Sequence, residues 1–335
     1  MNDIYYPVAH RSQEEIDSAK ERYKSFDVNY IPQIFKKALG AKALQWKKPS
    51  SWSTTHIIYF VTVDGQEKPL VFRANCGPKK EEFYLKVEKL VTDQVRRLGV
   101  PVNNILYVDV SRKEFPFDFQ IQEVLEGADI EDHFKGTQEN YDRLSFELGT
   151  YVAKLSVLTY DEFGRFDEKQ AIKNKLVGTK NSMYDYVCTR LDDDIQFLAN
   201  QKFITGKTAI KIRKLFEQYK SIIHVQKGSL VQHDLADHNL FFKDNCITGI
   251  FDWEACVSGD PVLDLASCPT WKTHYPREAR LIEGFKSIKK LPEFLKEKMN
   301  IYRLRTMLWK SVFGIRAKIM NEERKSRFFK ALEKI

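Results

Sequence analysis

The spacing of apolar residues changes character several times along the chain. Ile16, Ala19 and Tyr23 keep helical spacing behind Ser12 and Gln13-Glu14-Glu15, a cap followed by an acidic first turn. A second short helix is predicted over Tyr30–Leu39 and stops at Gly40. The period then shortens to that of strands at 43–46, Ile57–Val63 and 70–74, with polar stretches between them. Asp64-Gly65 between two of these runs predicts a hairpin. Positions 83, 87, 90, 91, 95 and 98 return to helical spacing and Gly99 ends that helix, predicted over 81–98. Two further strands are expected at 105–110 and 117–124, so 41–124 reads β-β-β-α-β-β.

Beyond Gly127 the pattern is mainly helical, at 140–158, 183–199, 207–225, 277–288 and 292–319. One β-rich island at 229–253 interrupts it, with short runs at Leu230-Val231, 240–242 and 247–251. The expected fold class is α+β and bilobal. A β-rich lobe with its leading helices covers 1–124, and a larger, mainly helical lobe covers 125–335, joined by a connector near 123–127. No internal repeat or low-complexity tract is visible.

Composition narrows the classes. In 335 residues, 43 % hydrophobic and 30 % charged describes a globular chain rather than a disordered one. The net charge of +8 is spread along the sequence, and basic residues cluster only as dipeptides such as Lys79-Lys80 and Lys289-Lys290. No nucleic-acid partner is therefore expected. No apolar run approaches the ~20 residues of a membrane span. The opening residues lack a basic segment followed by an apolar one, so no membrane partner and a cytoplasmic location are expected. Five scattered cysteines without a C-x-x-C pair indicate neither a disulfide framework nor a zinc ribbon.

The island carries the chemistry. It reads LVQHDLADHNLFFKDNCITGIFDWEACVSGDPVLDLAS. Asp234, Asn239 and Asp252 fall at the ends of its short apolar runs, which are expected to pair and bring a carboxylate, an amide and a second carboxylate together. Phosphoryl transfer from a metal–nucleotide complex uses such a set: one Asp orients the accepting hydroxyl, while an Asn and an Asp hold Mg²⁺ across the phosphates. Mg²⁺ takes hard oxygen ligands and keeps several waters, so few protein donors suffice. A metal phosphohydrolase dyad at His233-Asp234 is the competing reading. It is disfavoured because the flanks read as strands and His238 is the only other nearby histidine.

The D-x4-N segment, IFDWE and GDPxxDLA together resemble the aminoglycoside phosphotransferase family, which shares the protein-kinase-like fold with choline and fructosamine kinases. The resemblance covers about residues 40 to 270, and LVFRANCGPKK is similar to the hygromycin B phosphotransferases. It implies a kinase that transfers the γ-phosphoryl group of ATP or GTP, with Mg²⁺, to a hydroxyl of an aminoglycoside-like molecule. A sugar or choline-like alcohol is the alternative acceptor, and a non-catalytic kinase-like nucleotide-binding module is the alternative function. By the same resemblance Asp234 is the catalytic aspartate, Asn239 and Asp252 are the magnesium ligands, and Arg73 is the phosphate contact. Glu88 pairs with Arg73, with Glu81 or Glu82 as alternatives. Ser51 and Ser53, in the loop 48–54, cover the nucleotide. Backbone groups of Glu123 and Leu125, in the connector, meet the purine edge. Glu254 and Asp260 are candidates for the substrate side, although Asp260 and Asp264 also read as structural carboxylates. Asp185 and Asp192-Asp193-Asp194 are further acids in the helical lobe, the latter run reading best as a solvated helix terminus.

Three departures from the family pattern stand out. Gln232 replaces the usual histidine two residues before the catalytic aspartate. Arg73 replaces a lysine, keeping the positive charge and adding a fork that can take phosphate oxygens bidentately. No glycine-rich GxGxxG loop is present. A protein kinase is disfavoured because no APE-type segment follows IFDWE.

Overall fold

The structure is a computed structural model that describes residues 5–6, 13–49, 56–75 and 84–335. The small lobe runs α1 (Gln13–Ser25), α2 (Tyr30–Leu39), β1 (Ala43–Lys47), β2 (Ile57–Val63), β3 (Leu70–Asn75), α3 (Tyr84–Arg97), β4 (Ile105–Asp109) and β5 (Asp118–Glu123). Its strands form one antiparallel sheet in the order β1-β2-β3-β5-β4. Central β3 is buried along all six residues, which is why it shows no alternation in sequence. Ile31, Ile34 and Phe35 of α2, with Phe26, pack against Ile57, Tyr59, Phe72 and Phe119 of the sheet. Gly40 ends α2 in the left-handed conformation, φ 64°, and its N–H donates to the Lys36 carbonyl. In α3, Val87, Val91 and Val95 join the core of the large lobe.

The large lobe begins with β6 (Ala128–Asp129), α4 (Ile130–His133), α5 (Gln138–Leu155), β7 (Thr159–Tyr160), β8 (Phe163–Phe166), α6 (Glu168–Ile172) and β9 (Gly178–Lys180). It continues through α7 (Met183–Val187), α8 (Leu191–Asn200), α9 (Gly206–Gln218), α10 (Lys220–Ile223), β10 (Gly228–Val231), β11 (Leu240–Lys243), β12 (Cys246–Ile250) and β13 (Val257–Gly259). Helices α11 (Val262–Ser267), α12 (Glu278–Ile288), α13 (Leu295–Arg316) and α14 (Glu322–Glu333) complete it. Among the described residues no helix is long and apolar enough to cross a membrane.

Helices α5 and α12 cross with almost no space between them. A Cβ on Gly149 would stand 2.0 Å from the Leu281 carbonyl oxygen, and one on Gly284 would stand 1.9 Å from that of Phe146. Only glycine lets the two backbones approach this closely.

The structure corrects several expectations. The predicted helix at 183–199 is two helices, broken where Arg190 turns left-handed at φ 55°. The one at 207–225 is likewise divided into α9 and α10. The island does not pair as a unit. β10 joins a five-stranded sheet of order β7-β10-β13-β8-β9, whereas β11 and β12 form a hairpin extended by β6. The partners of β10, β7 and β13, are two and three residues long, too short to show a period in sequence. Finally, Tyr5 and Tyr6, grouped by sequence position with the small lobe, are buried in the core of the large one.

Candidate active site

The loop after β10 is locked from behind. Asp264 on α11 accepts from the backbone N–H of Gln232 at 2.9 Å and of His233 at 2.7 Å. Burial pushes its carboxyl up to about 7, against the pull of those two N–H groups. The Gln232 amide makes a second clamp. Its nitrogen donates to the carbonyls of Asp252 at 2.9 Å and Phe251 at 3.2 Å, and its oxygen accepts from the Asp234 N–H at 2.6 Å. One side chain thus ties the segment bearing Asp234 to the segment bearing Asp252. His233 and Asp252 both lie in the left-handed region, at φ 71° and 61°, a cost of order 1–3 kcal/mol each that the clamps offset. His233 is buried, its Nδ1 lies 3.3 Å from the Tyr186 hydroxyl, and burial pushes its imidazole down to about 3.

At the front of this loop Asp234 is 8 % exposed, and its Oδ1 is buried with no hydrogen-bond partner among the described residues. A buried carboxylate oxygen in that condition keeps an acceptor site that a ligand atom can use. Asn239 donates its amide hydrogen to the Asp234 carbonyl at 3.0 Å, which leaves the amide oxygen as its unspent acceptor.

Facing the loop is a chain of ionic contacts between the lobes. Arg73 on β3 donates through Nη1 to Glu88 Oε2 at 2.7 Å, and its Nη2 meets Glu254 Oε2 at 3.2 Å and Asp252 Oδ1 at 3.4 Å. His56, at the foot of β2, closes on Glu254 at 2.7 Å. Glu88 is 1 % exposed and also accepts from Gln120, which leads through Gln122 to Asn103. Burial alone would lower the Arg73 guanidinium, but Glu88, Asp252 and Glu254 outweigh it and hold the charge on. Burial and then the neighbouring Glu254 push the Asp252 carboxyl well up, with Arg73 opposing and Asp234 adding to the rise. The site is therefore short of positive charge where Asp252, Glu254 and Asp234 converge.

Those donors fit a hard divalent cation of the Mg²⁺ type. Among the described residues no group of three or more His, Cys, Asp or Glu side chains could hold a metal. What exists is sparser: a one-third exposed carboxylate on Asp252 and the amide oxygen of Asn239. That number of protein donors suits an ion that keeps its waters and takes phosphate oxygens.

The other sequence-predicted residues divide. Ser51, Ser53, Glu81 and Glu82 lie outside the described residues. Glu254, expected on the substrate side, instead joins Arg73 and His56 in the ionic chain, because the turn after Asp252 points it at the small lobe. Asp260, expected there too, is 1 % exposed and fully engaged: it accepts from the Val262 N–H, the Lys298 ammonium and the Tyr302 hydroxyl, so it holds helices together and meets no ligand. Asp194 is not solvated with its neighbours Asp192 and Asp193 but buried, paired to Arg305 at 2.9 Å. Asp185 receives the Ser182 hydroxyl at the start of α7. Glu123 ends β5 with its N–H donated to the Asn104 carbonyl, and the Leu125 side chain packs over Gly249. Sequence reading missed His56 and Gln120, whose partners lie 198 and 32 residues away and leave no local signal. It also missed Tyr6, an unremarkable half of a Tyr-Tyr pair.

The antiparallel sheet lobe, the connector and the helical lobe carrying this loop make up the protein-kinase-like fold, and the arrangement is that of a small-molecule kinase rather than of a hydrolase dyad. Residues 58–288, more than half the chain, match the family model described as "Phosphotransferase enzyme family", and the chain belongs to that family. Among solved structures it is similar to a thermostable mutant of aminoglycoside phosphotransferase APH(4)-Ia in ternary complex with AMP-PNP and hygromycin B, at 15 % identity and TM-score 0.65, covering 91 % of this chain and 98 % of that one. A putative fructosamine-3-kinase from Thermobifida fusca YX-ER1 matches at 15 % identity and TM-score 0.66, covering 92 % and 100 %. The macrolide 2'-phosphotransferase MphH from Brachybacterium faecium matches at 14 % and 0.61, covering 90 % and 97 %. A search of curated proteins finds no match. Such identities speak for the fold, and the near-equal scores single out no acceptor.

Proposed function

We propose that the protein transfers the γ-phosphoryl group of ATP or GTP to a hydroxyl of a small molecule, with Mg²⁺ required. The observation that carries this reading is the unpartnered Asp234 carboxylate oxygen, held beside Asn239 and Asp252 on a loop fixed by Asp264 and Gln232. Asp234 orients the acceptor hydroxyl. As the acceptor oxygen bonds to the γ-phosphorus, the bridge to the β-phosphate breaks, its electron pair leaves with the nucleoside diphosphate, and the acceptor proton passes to Asp234. Asn239 and Asp252 hold the metal, and Arg73, kept in place by Glu88, takes phosphate oxygens. Bound there, Mg²⁺ neutralises charge on the transferring phosphates. Glu123 and Leu125 offer backbone groups to the purine edge.

The test is nucleoside diphosphate release with ATP and with GTP across aminoglycosides, macrolides, sugars and choline-like alcohols, with and without EDTA. Acceptor-stimulated, EDTA-sensitive release is expected. Asp234→Asn should lower kcat by roughly 10²–10⁴ while Mg–nucleotide still binds. Folded protein that releases nothing with any acceptor and either nucleotide overturns the reading.

A further inference from the structure

The space in front of Asp234 is filled by the protein itself. Tyr6 is 4 % exposed although it stands almost at the start of the sequence. Its ring stacks on Trp309 at 3.9 Å between centroids and 11° between planes, and its edge meets His233, the neighbour of Asp234, at 5.3 Å. Burial raises the Tyr6 phenol well above its usual value, and the neighbouring Asp234 carboxylate raises it further. Tyr5 anchors the segment. It stacks on Tyr186 at 4.9 Å, lies under the Arg305 guanidinium at 3.8 Å, and receives the Tyr186 hydroxyl on its carbonyl at 3.1 Å. Arg305 is itself fixed by Asp194 and by the carbonyls of Val187 and Thr189.

A hydroxyl presented to the aspartate that orients the acceptor stands where an acceptor stands. We propose that Tyr6 occupies the acceptor subsite as an internal stand-in for the substrate, and that this subsite is an aromatic slot whose ligand is a flat, ring-borne alcohol of the phenol type, which displaces Tyr6 to enter. This rests on the assignment of Asp234 made above. Trp309 supplies a face on which a planar ring stacks, and His233 makes the edge contact. A lysine stands beside the same indole, with Lys310 Nζ 5.7 Å from the Trp309 centroid. Lys310 Nζ stands 3.2 Å from the centroid of the Trp271 ring and donates to Thr270 Oγ1 at 2.8 Å, while Arg327 reaches the Thr270 carbonyl at 3.4 Å. Burial pulls the Lys310 ammonium well down, Asp234 opposes, and Arg327 and Arg324 add to the fall.

The slot is tested by removing its occupant and returning the side chain alone. p-Cresol is the tyrosine side chain cut at its backbone, and toluene is the same ring without the hydroxyl. Calorimetric titration of p-cresol into Tyr6→Ala should show saturable binding, at least tenfold tighter than toluene and at least tenfold tighter than p-cresol binds wild type or Tyr6→Phe, whose own ring must first be displaced. Tyr6→Leu, which keeps apolar bulk, replaces Tyr6→Ala if the latter fails to fold. Equal binding of p-cresol to wild type and variant, or no binding to a folded variant, overturns the proposal. Adding Mg-ATP separates the two readings. Cresyl phosphate and ADP from the p-cresol-bound variant support both, while tight p-cresol binding without any turnover leaves the slot standing and counts against catalysis.

Discussion

The two halves of the site are built in opposite ways. The Asp234 loop is fixed by hydrogen bonds that begin and end in the large lobe: two from backbone N–H groups to Asp264 and three through the Gln232 amide. The side facing the small lobe is held by contacts that reach across the lobes, the Arg73 charge and the His56 ring, which burial keeps neutral, from one and the carboxylates of Asp252 and Glu254 from the other. A loop held by uncharged backbone partners keeps its shape whatever the lobes do. An ionic chain re-pairs when phosphates and a cation enter, so it serves as a contact surface for ligands and not as a brace. Perturbing the first half should therefore show in stability, and perturbing the second in nucleotide affinity.

The largest stability effect should come from Asp264. Asp264→Ala strands two buried N–H groups, each costing about 1–3 kcal/mol, so chemical denaturation should report a loss of roughly 2–6 kcal/mol. Asp264→Asn keeps one acceptor oxygen and should lose less. A loss below about 1 kcal/mol for the alanine variant would mean that Gln232 alone holds the loop.

His233 gives the same half a pH signature. In the folded protein its imidazole stays neutral down to about 3, against an ordinary 6.5 in the unfolded chain. The contribution is full above the unfolded value and fades as pH falls from there toward the folded one, because only the unfolded state takes up the proton. At pH 5 the difference is about 2 kcal/mol. His233→Asn, which tolerates the left-handed backbone, should flatten the acid limb of stability between pH 7 and 5. An unchanged slope would show that other groups carry the acid sensitivity.

This division also explains what the sequence makes legible. Asp234, Asn239 and Asp252 lie within eighteen residues, their spacing is fixed by short strands, and pattern reading groups them as one candidate set. Gln232, read as an amide able to brace the loop, has the bonds to do so. The ionic chain joins residues far apart in sequence, so Arg73 was visible only through its resemblance to a family position, and His56 not at all. Glu254 and Asp260 look alike in sequence as acids near the site. Which lobe each faces depends on the turn at Trp253–Ala255 and on Lys298 and Tyr302 of α13, and no local pattern records either. Tyr6 is hidden for the same reason: its burial depends on Trp309, some three hundred residues later.

The smallest expected effect tests the ionic half by itself. Arg73 uses the fork of its guanidinium: Nη1 serves Glu88 while Nη2 serves Asp252 and Glu254. Arg73→Ala removes the proposed phosphate contact and should weaken nucleotide binding at least tenfold, about 1.4 kcal/mol. It also strands the buried Glu88 carboxylate, so some loss of stability will accompany it. Arg73→Lys avoids that complication, since the ammonium can still neutralise Glu88. A compact point charge cannot reach both sides at once, however, and the remaining deficit isolates the second prong. Calorimetric nucleotide binding should therefore fall only a few-fold in Arg73→Lys, under about 1 kcal/mol. Melting temperature should stay near that of wild type, and the deficit should be larger with Mg²⁺ than without, because Nη2 is the prong beside Asp252. A lysine variant as weak as the alanine one would make the bidentate geometry, and not the charge, the property that matters. A lysine variant equal to wild type would reduce Arg73 to a counter-ion for Glu88 and move the phosphate contact to another residue.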